Sequence, residues 1–94
     1  MDMTYISVIC QDRMQANENL SAMRKTFSCK EKARVSMANA EVAGNEIFIH
    51  VPNCGGLGFS LSALKAALIA PARVDLFNLE RDENGEFARF WYLI

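Results

Sequence analysis

Between Thr4 and Cys10 the chain alternates Ile6, Val8 and Cys10 with Tyr5, Ser7 and Ile9, the period-two pattern of a strand with both faces at least partly covered. After Asp12, a fitting N-cap, the period changes. Ala16, Leu20, Met23 and Phe27 recur at i, i+4, i+7 and i+11 and mark one face of a helix. Arg13, Gln15, Asn17, Glu18, Ser21 and Lys25 fill the opposite side, and Arg24 and Lys25 complement the dipole near its carboxyl end. From Lys32 the pattern returns to period two, with Val35 and Met37 on one face and Arg34 and Ser36 on the other. Ala43-Gly44-Asn45 is a turn signal, after which Ile47, Ile49 and Val51 alternate with Phe48 and His50 until Pro52. These two runs predict a hairpin whose 46–51 strand is the more buried.

A glycine-rich stretch, 53–58, leads into a second predicted helix over 57–70 with Leu57, Leu61, Leu64 and Leu68 along one face. Ala63, Ala66, Ala67 and Ile69 leave little polar surface on the other, so this helix is either wrapped by its own domain or covered by a partner. Pro71 terminates it. In the last hairpin Val74 and Leu76 alternate with Phe77 and Leu79, and Arg81 to Gly85 carries the Asn-Gly turn signal. The run 87–94 has Phe87, Trp91 and Leu93 on one face and Phe90, Tyr92 and Ile94 on the other, which predicts a covered strand. The order β-α-β-β-α-β-β predicts one α+β domain over 1–94. Its expected form is a two-layer sandwich, two helices on one face of a mostly antiparallel sheet, ferredoxin-like with an added strand.

Composition narrows the function classes. With 51% hydrophobic and 22% charged residues in 94, the chain has ample apolar surface to fold, which excludes a disordered or low-complexity protein. Lys and Arg number 10 against 11 Asp and Glu, so it is neither a polycation nor an acidic nucleic-acid mimic. No stretch approaches the roughly 20 apolar residues that span a bilayer, and the run Tyr5 to Cys10 is too short for a signal core. A cytoplasmic protein without membrane contact is expected. Cys10, Cys29 and Cys54 are an odd number at wide spacing, and His50 is the only other soft ligand. No metal is expected, and the thiols read as reduced.

Three features bear on chemistry. His50 has the ring suited to a general base, but no local Ser or Cys makes it half of a nucleophile–base pair, so it reads as a packed or surface histidine. Cys54, beside two glycines at a helix start, is the thiol best placed for a lowered pKa; Cys10 and Cys29 read as core or boundary residues. The run Asn53-Cys54-Gly55-Gly56-Leu57-Gly58 between a strand and a helix resembles the acyl-CoA pyrophosphate loop of the GNAT acetyltransferase superfamily, although Asn53 stands where that family has Gln or Arg. The resemblance implies that the N–H groups of Gly56, Leu57 and Gly58 face a cofactor's phosphates. Without it, the turn is a close β–α connection and no cofactor is expected.

Charge is unevenly placed. Arg24, Lys25, Lys30, Lys32 and Arg34 against Glu31 give the segment 24–34 a net +4, while Asp75, Glu80, Asp82, Glu83 and Glu86 against Arg81 give 75–86 a net −4. Such a bipolar surface orients docking on a charged partner or a second copy, with Asp82 and Glu83 at the acidic end. Nucleic acid is not the expected partner, because the overall charge is not basic and Phe48 alone does not make an RNA-binding sheet motif. The leading expectation is therefore a small cytosolic interaction module, an inhibitor, immunity-type or regulatory protein that docks on a protein and self-associates as a homodimer. Its size and composition are those of phage and plasmid accessory proteins. The alternative is a small GNAT-like acyl-CoA-dependent acetyltransferase using the turn 53–58.

Overall fold

The computed structural model describes residues 3–52 and 56–92. In chain order the elements are β1 (Met3–Cys10), α1 (Arg13–Thr26), α2 (Glu31–Ala38), β2 (Glu41–Ala43), β3 (Glu46–Val51), α3 (Leu61–Ala67), β4 (Ala72–Arg81) and β5 (Phe87–Trp91). The strands form one antiparallel sheet in the order β2-β3-β1-β4-β5. β1 is central because its alternation is apolar on both sides. Ile6, Val8 and Cys10 face the helices and join Ile47, Ile49 and Val74 in the main core, while Tyr5, Ser7 and Ile9 point to the other face.

The helix predicted from Ala16, Leu20, Met23 and Phe27 is present as α1, with all four side chains buried. The Asp12 carboxylate accepts from the Gln15 backbone N–H, the N-cap bond expected of it. Asn19, on the same face, is fully buried and unmarked by the apolar pattern. The Ala43-Gly44-Asn45 turn and the strand after it also form as predicted. In the last turn the Asp82 carboxylate accepts from the N–H groups of Asn84 and Glu86, and Gly85 takes a positive φ of 78°.

Three expectations are corrected. First, residues 31–38 form a helix where a strand was predicted, so three helices rather than two cover the sheet among the described residues. Over so short a run, Ala33, Val35 and Met37 fit a period of two, whereas Ala33 and Met37 alone fit i, i+4. The helix buries those two and leaves Val35 51% exposed. Its last carbonyls are satisfied from α1, where the Arg24 guanidinium donates to the carbonyls of Met37 (3.0 Å) and Ala40 (3.2 Å).

Second, the helix predicted over 57–70 spans only Leu61–Ala67. The Ser60 hydroxyl accepts from the Ala63 N–H as N-cap, and Gly58 ahead of it has a φ of +85°, which no helix contains. Leu57 and Leu68 still pack on the core from outside the helix, beside buried Leu64 and half-buried Leu61. Third, the strand expected to be covered is an edge strand. Phe87, Phe90, Trp91 and Tyr92 are 46–53% exposed on the two faces of the hairpin's outer arm. Leu93 and Ile94 lie outside the described residues.

The opposite edge is protected. β2 has three residues, and Glu41 is exposed on it.

Gly58 lies against α2. A Cβ there would stand 2.6 Å from the Ala33 backbone nitrogen and 2.8 Å from the Lys32 Cβ, and the Leu57 carbonyl accepts from the Ser36 hydroxyl alongside. Gly58→Ala is expected to lower stability by about 2 kcal/mol or more, the left-handed backbone and the clash adding together. Urea denaturation reads the loss. A change below about 0.5 kcal/mol, the range of an ordinary surface substitution, would mean that α2 simply moves aside.

Candidate docking face

All described helices pack on one side of the sheet, and the other side carries its own aromatic cluster. Cross-strand register brings Tyr5 beside Phe77 on β4 and His50 on β3, Ser7 beside Phe48, and Phe77 beside Trp91 on β5. Phe77 is the centre, 2% exposed. Tyr5 stacks on it at 5.5 Å between ring centroids, Phe48 meets it edge-on at 6.2 Å, and Trp91 tilts against it at 5.0 Å. Tyr5 also meets the exposed His50 ring at 5.4 Å.

An arginine lies over this cluster. The Arg89 guanidinium stands 4.7 Å from the Phe77 ring, 4.9 Å from Phe48 and 5.7 Å from Trp91. It is held there by Glu46, whose Oε2 is 2.7 Å from Nη1 and also accepts from the Ser7 hydroxyl. The charges on this face are matched. Arg89 pairs with Glu46 and Arg73 with Asp75 at 2.6 Å, while Arg81 lies over the Phe87 ring and Glu41 sits on β2. The arrangement is amphipathic and near neutral.

The residues singled out from sequence fall elsewhere. Lys25, Lys30, Lys32 and Arg34 are exposed on the helix layer, Lys25 on the flank of α1 that lies beside Ile69 and the others at the start and along α2. Arg24, from the same basic run, is used up in holding the end of α2. Asp82 shapes the β4–β5 turn, and Glu83 is exposed at its tip. The basic groups lie on the helix layer and the acidic ones at the β4–β5 turn. Gly56 is exposed, while Leu57 and Gly58 rest on α2 ahead of a helix whose first turn is capped by its own Ser60. Asn53, Cys54 and Gly55 lie outside the described residues.

Among the described residues, no catalytic grouping assembles around His50, Cys10 or Cys29. His50 has aromatic neighbours, Cys10 is buried where Asn19 Nδ2 donates to its sulfur at 3.4 Å, and Cys29 is exposed as a free thiol. Among the described residues no three His, Cys, Asp or Glu side chains converge as metal ligands. One surface cavity, about 600 Å³, is lined by Lys65 and the apolar side chains of Leu68 to Ala72 and Val74. No protein family, curated protein or solved structure matches the chain.

Sequence reasoning gave Phe48 no neighbours and passed over Tyr5, Phe77 and Arg89 as a group. The signal was present as one aromatic position on each of four strands, Tyr5, Phe48, Phe77 and Trp91. Joining them required the register, which no single strand contains.

Proposed function

We propose that this chain is a small protein-interaction module, an inhibitor, immunity-type or regulatory protein, that docks a protein partner through the helix-free face of its sheet. The observation that carries the reading is the Arg89 guanidinium held over Phe48, Phe77 and Trp91 by Glu46. Tyr, Trp and Arg dominate the residues on which protein interfaces depend, and groups already fixed in place lose little entropy on binding. Balanced charge favours a protein over a nucleic acid, since phosphates would need unmatched cations. The strand order β2-β3-β1-β4 supports describing the domain as ferredoxin-like, with α2 and β5 added. A cytosolic setting is in keeping with the free thiols of Cys10 and Cys29. Among the described residues no helix is long and apolar enough to cross a membrane.

A photo-reactive phenylalanine analogue placed at His50, and separately at Lys25, tests this in the source cell. One protein is expected to cross-link in high yield from position 50 and not from position 25. Cross-linking from position 25 alone would move docking to the helix layer. Capture of nucleic acid, of another copy only, or of nothing from position 50 would overturn the reading.

A further inference from the structure

The β5 strand offers a second surface, distinct from the docking face. Tyr92 donates its backbone N–H to Leu76 at 2.9 Å and Asp82 donates to Glu86 at 2.7 Å. In this register the even-numbered residues of the outer arm therefore turn their backbone groups toward β4. Phe87, Arg89 and Trp91 consequently turn their N–H and C=O groups outward along an open edge. β5 contains no proline, and its one charged side chain, Arg89, is drawn over the aromatic cluster and so leaves the backbone edge open. On the helix side of this arm, Phe90 and Tyr92 are half exposed. Tyr92 is fixed by donating its hydroxyl to Asn78 Oδ1 at 2.9 Å.

We infer that this edge pairs with the β5 edge of a second copy, antiparallel and centred on Phe90, so that two sheets join into one of ten strands. The strand is self-complementary in that register. Phe90 meets Phe90 of the other copy in a close non-hydrogen-bonded pair, and Arg89 lies opposite Trp91 across the hydrogen-bonded pairs on either side. Centring on Arg89 instead would set two guanidinium groups directly opposite each other. Antiparallel pairing also sends the acidic turns, Asp82 to Glu86, to opposite ends of the joined ribbon, where their charges stay apart. Phe90 and Tyr92, half exposed on the helix side, add apolar contact along the joined main-chain edges. The two helix-free faces become continuous across the junction, and each Arg89 gains the partner's indole beside its own.

Sedimentation equilibrium from about 1 to about 100 μM, the range that reveals a Kd near 10 μM, is expected to give an average mass that rises from the 10.5 kDa of one chain toward twice that value at the upper end. Phe90→Lys sets like charges face to face and should weaken association at least about tenfold with an unchanged circular dichroism spectrum. Register is read separately by mild oxidation. Phe90→Cys should form a covalent dimer rapidly, and Ala88→Cys should not, because its twin lies several residues away along the ribbon. A monomer throughout the range, a dimer indifferent to Phe90→Lys, or cross-linking from position 88 in preference to 90 would overturn the inference. None of these outcomes depends on the cross-link from His50, so this proposal and the docking face stand or fall independently.

Discussion

Asn19→Ala is expected to lower the unfolding free energy by about 3 kcal/mol and the Tm by roughly 15 °C. The side chain is fully buried on α1, where it fastens the connection between α3 and β4. Its Oδ1 accepts from the N–H groups of Ile69 (3.0 Å) and Ala70 (2.9 Å), and its Nδ2 donates to the Ala70 carbonyl at 3.2 Å. Three backbone groups thus depend on one amide, at the place where the chain leaves the helix layer to enter β4. Removing the amide leaves them unpaired next to the core, and burying polar groups without partners is the expensive part of losing a hydrogen bond. Asn17→Ala, on the exposed side of the same helix, should change stability by less than about 0.5 kcal/mol. Urea melts of the two variants decide the matter. Equal effects would mean that the connection finds water or other partners when Asn19 is gone.

The second large effect is expected on the opposite face. Phe77→Ala removes the ring that Tyr5, Phe48, Trp91 and Arg89 all touch, and a loss of roughly 3–5 kcal/mol follows from the cavity alone. Against a typical total of about 5–15 kcal/mol, the variant is marginally folded or unfolded. Phe77→Leu keeps most of the volume and should cost about 1.5 kcal/mol or less, so the domain survives to report on its cluster. Trp91 is the one tryptophan of the chain, and its emission should shift to longer wavelength as the ring it rests on disappears. Unchanged emission together with unchanged stability in Phe77→Leu would show that the cluster is not a second core.

Much of the scaffold could be read from local pattern. α1 carries four core residues at helical spacing and its own Asp12 cap, and β1, the Gly44 turn and the Asn84-Gly85 turn are equally local signals. α2 was hidden because eight residues admit two periods at once, and Val35 tipped the reading toward a strand although that side chain ends in solvent. Asn19 was hidden for a different reason. A polar residue on an apolar helical face looks like noise until the turn that it binds, some fifty residues later, is known. The aromatic face illustrates a third limit. β1 and the run after Glu86 carry apolar residues on both sides, and β4 sets Val74 and Leu76 against Phe77 and Leu79, so alternation alone cannot say which side the helices cover.

The inequality of the two sheet edges also determines how far assembly can go. A sheet with two receptive edges can add copies head to tail without limit, and open heterologous contacts of that kind produce fibres. Here β2 ends the sheet after three residues with Glu41 exposed, while β5 presents five residues with open backbone. With one receptive end, pairing through β5 would close on itself, and growth would stop at two. Lengthening β2 and neutralising Glu41 would supply the missing end and convert a self-limiting pair into a polymer.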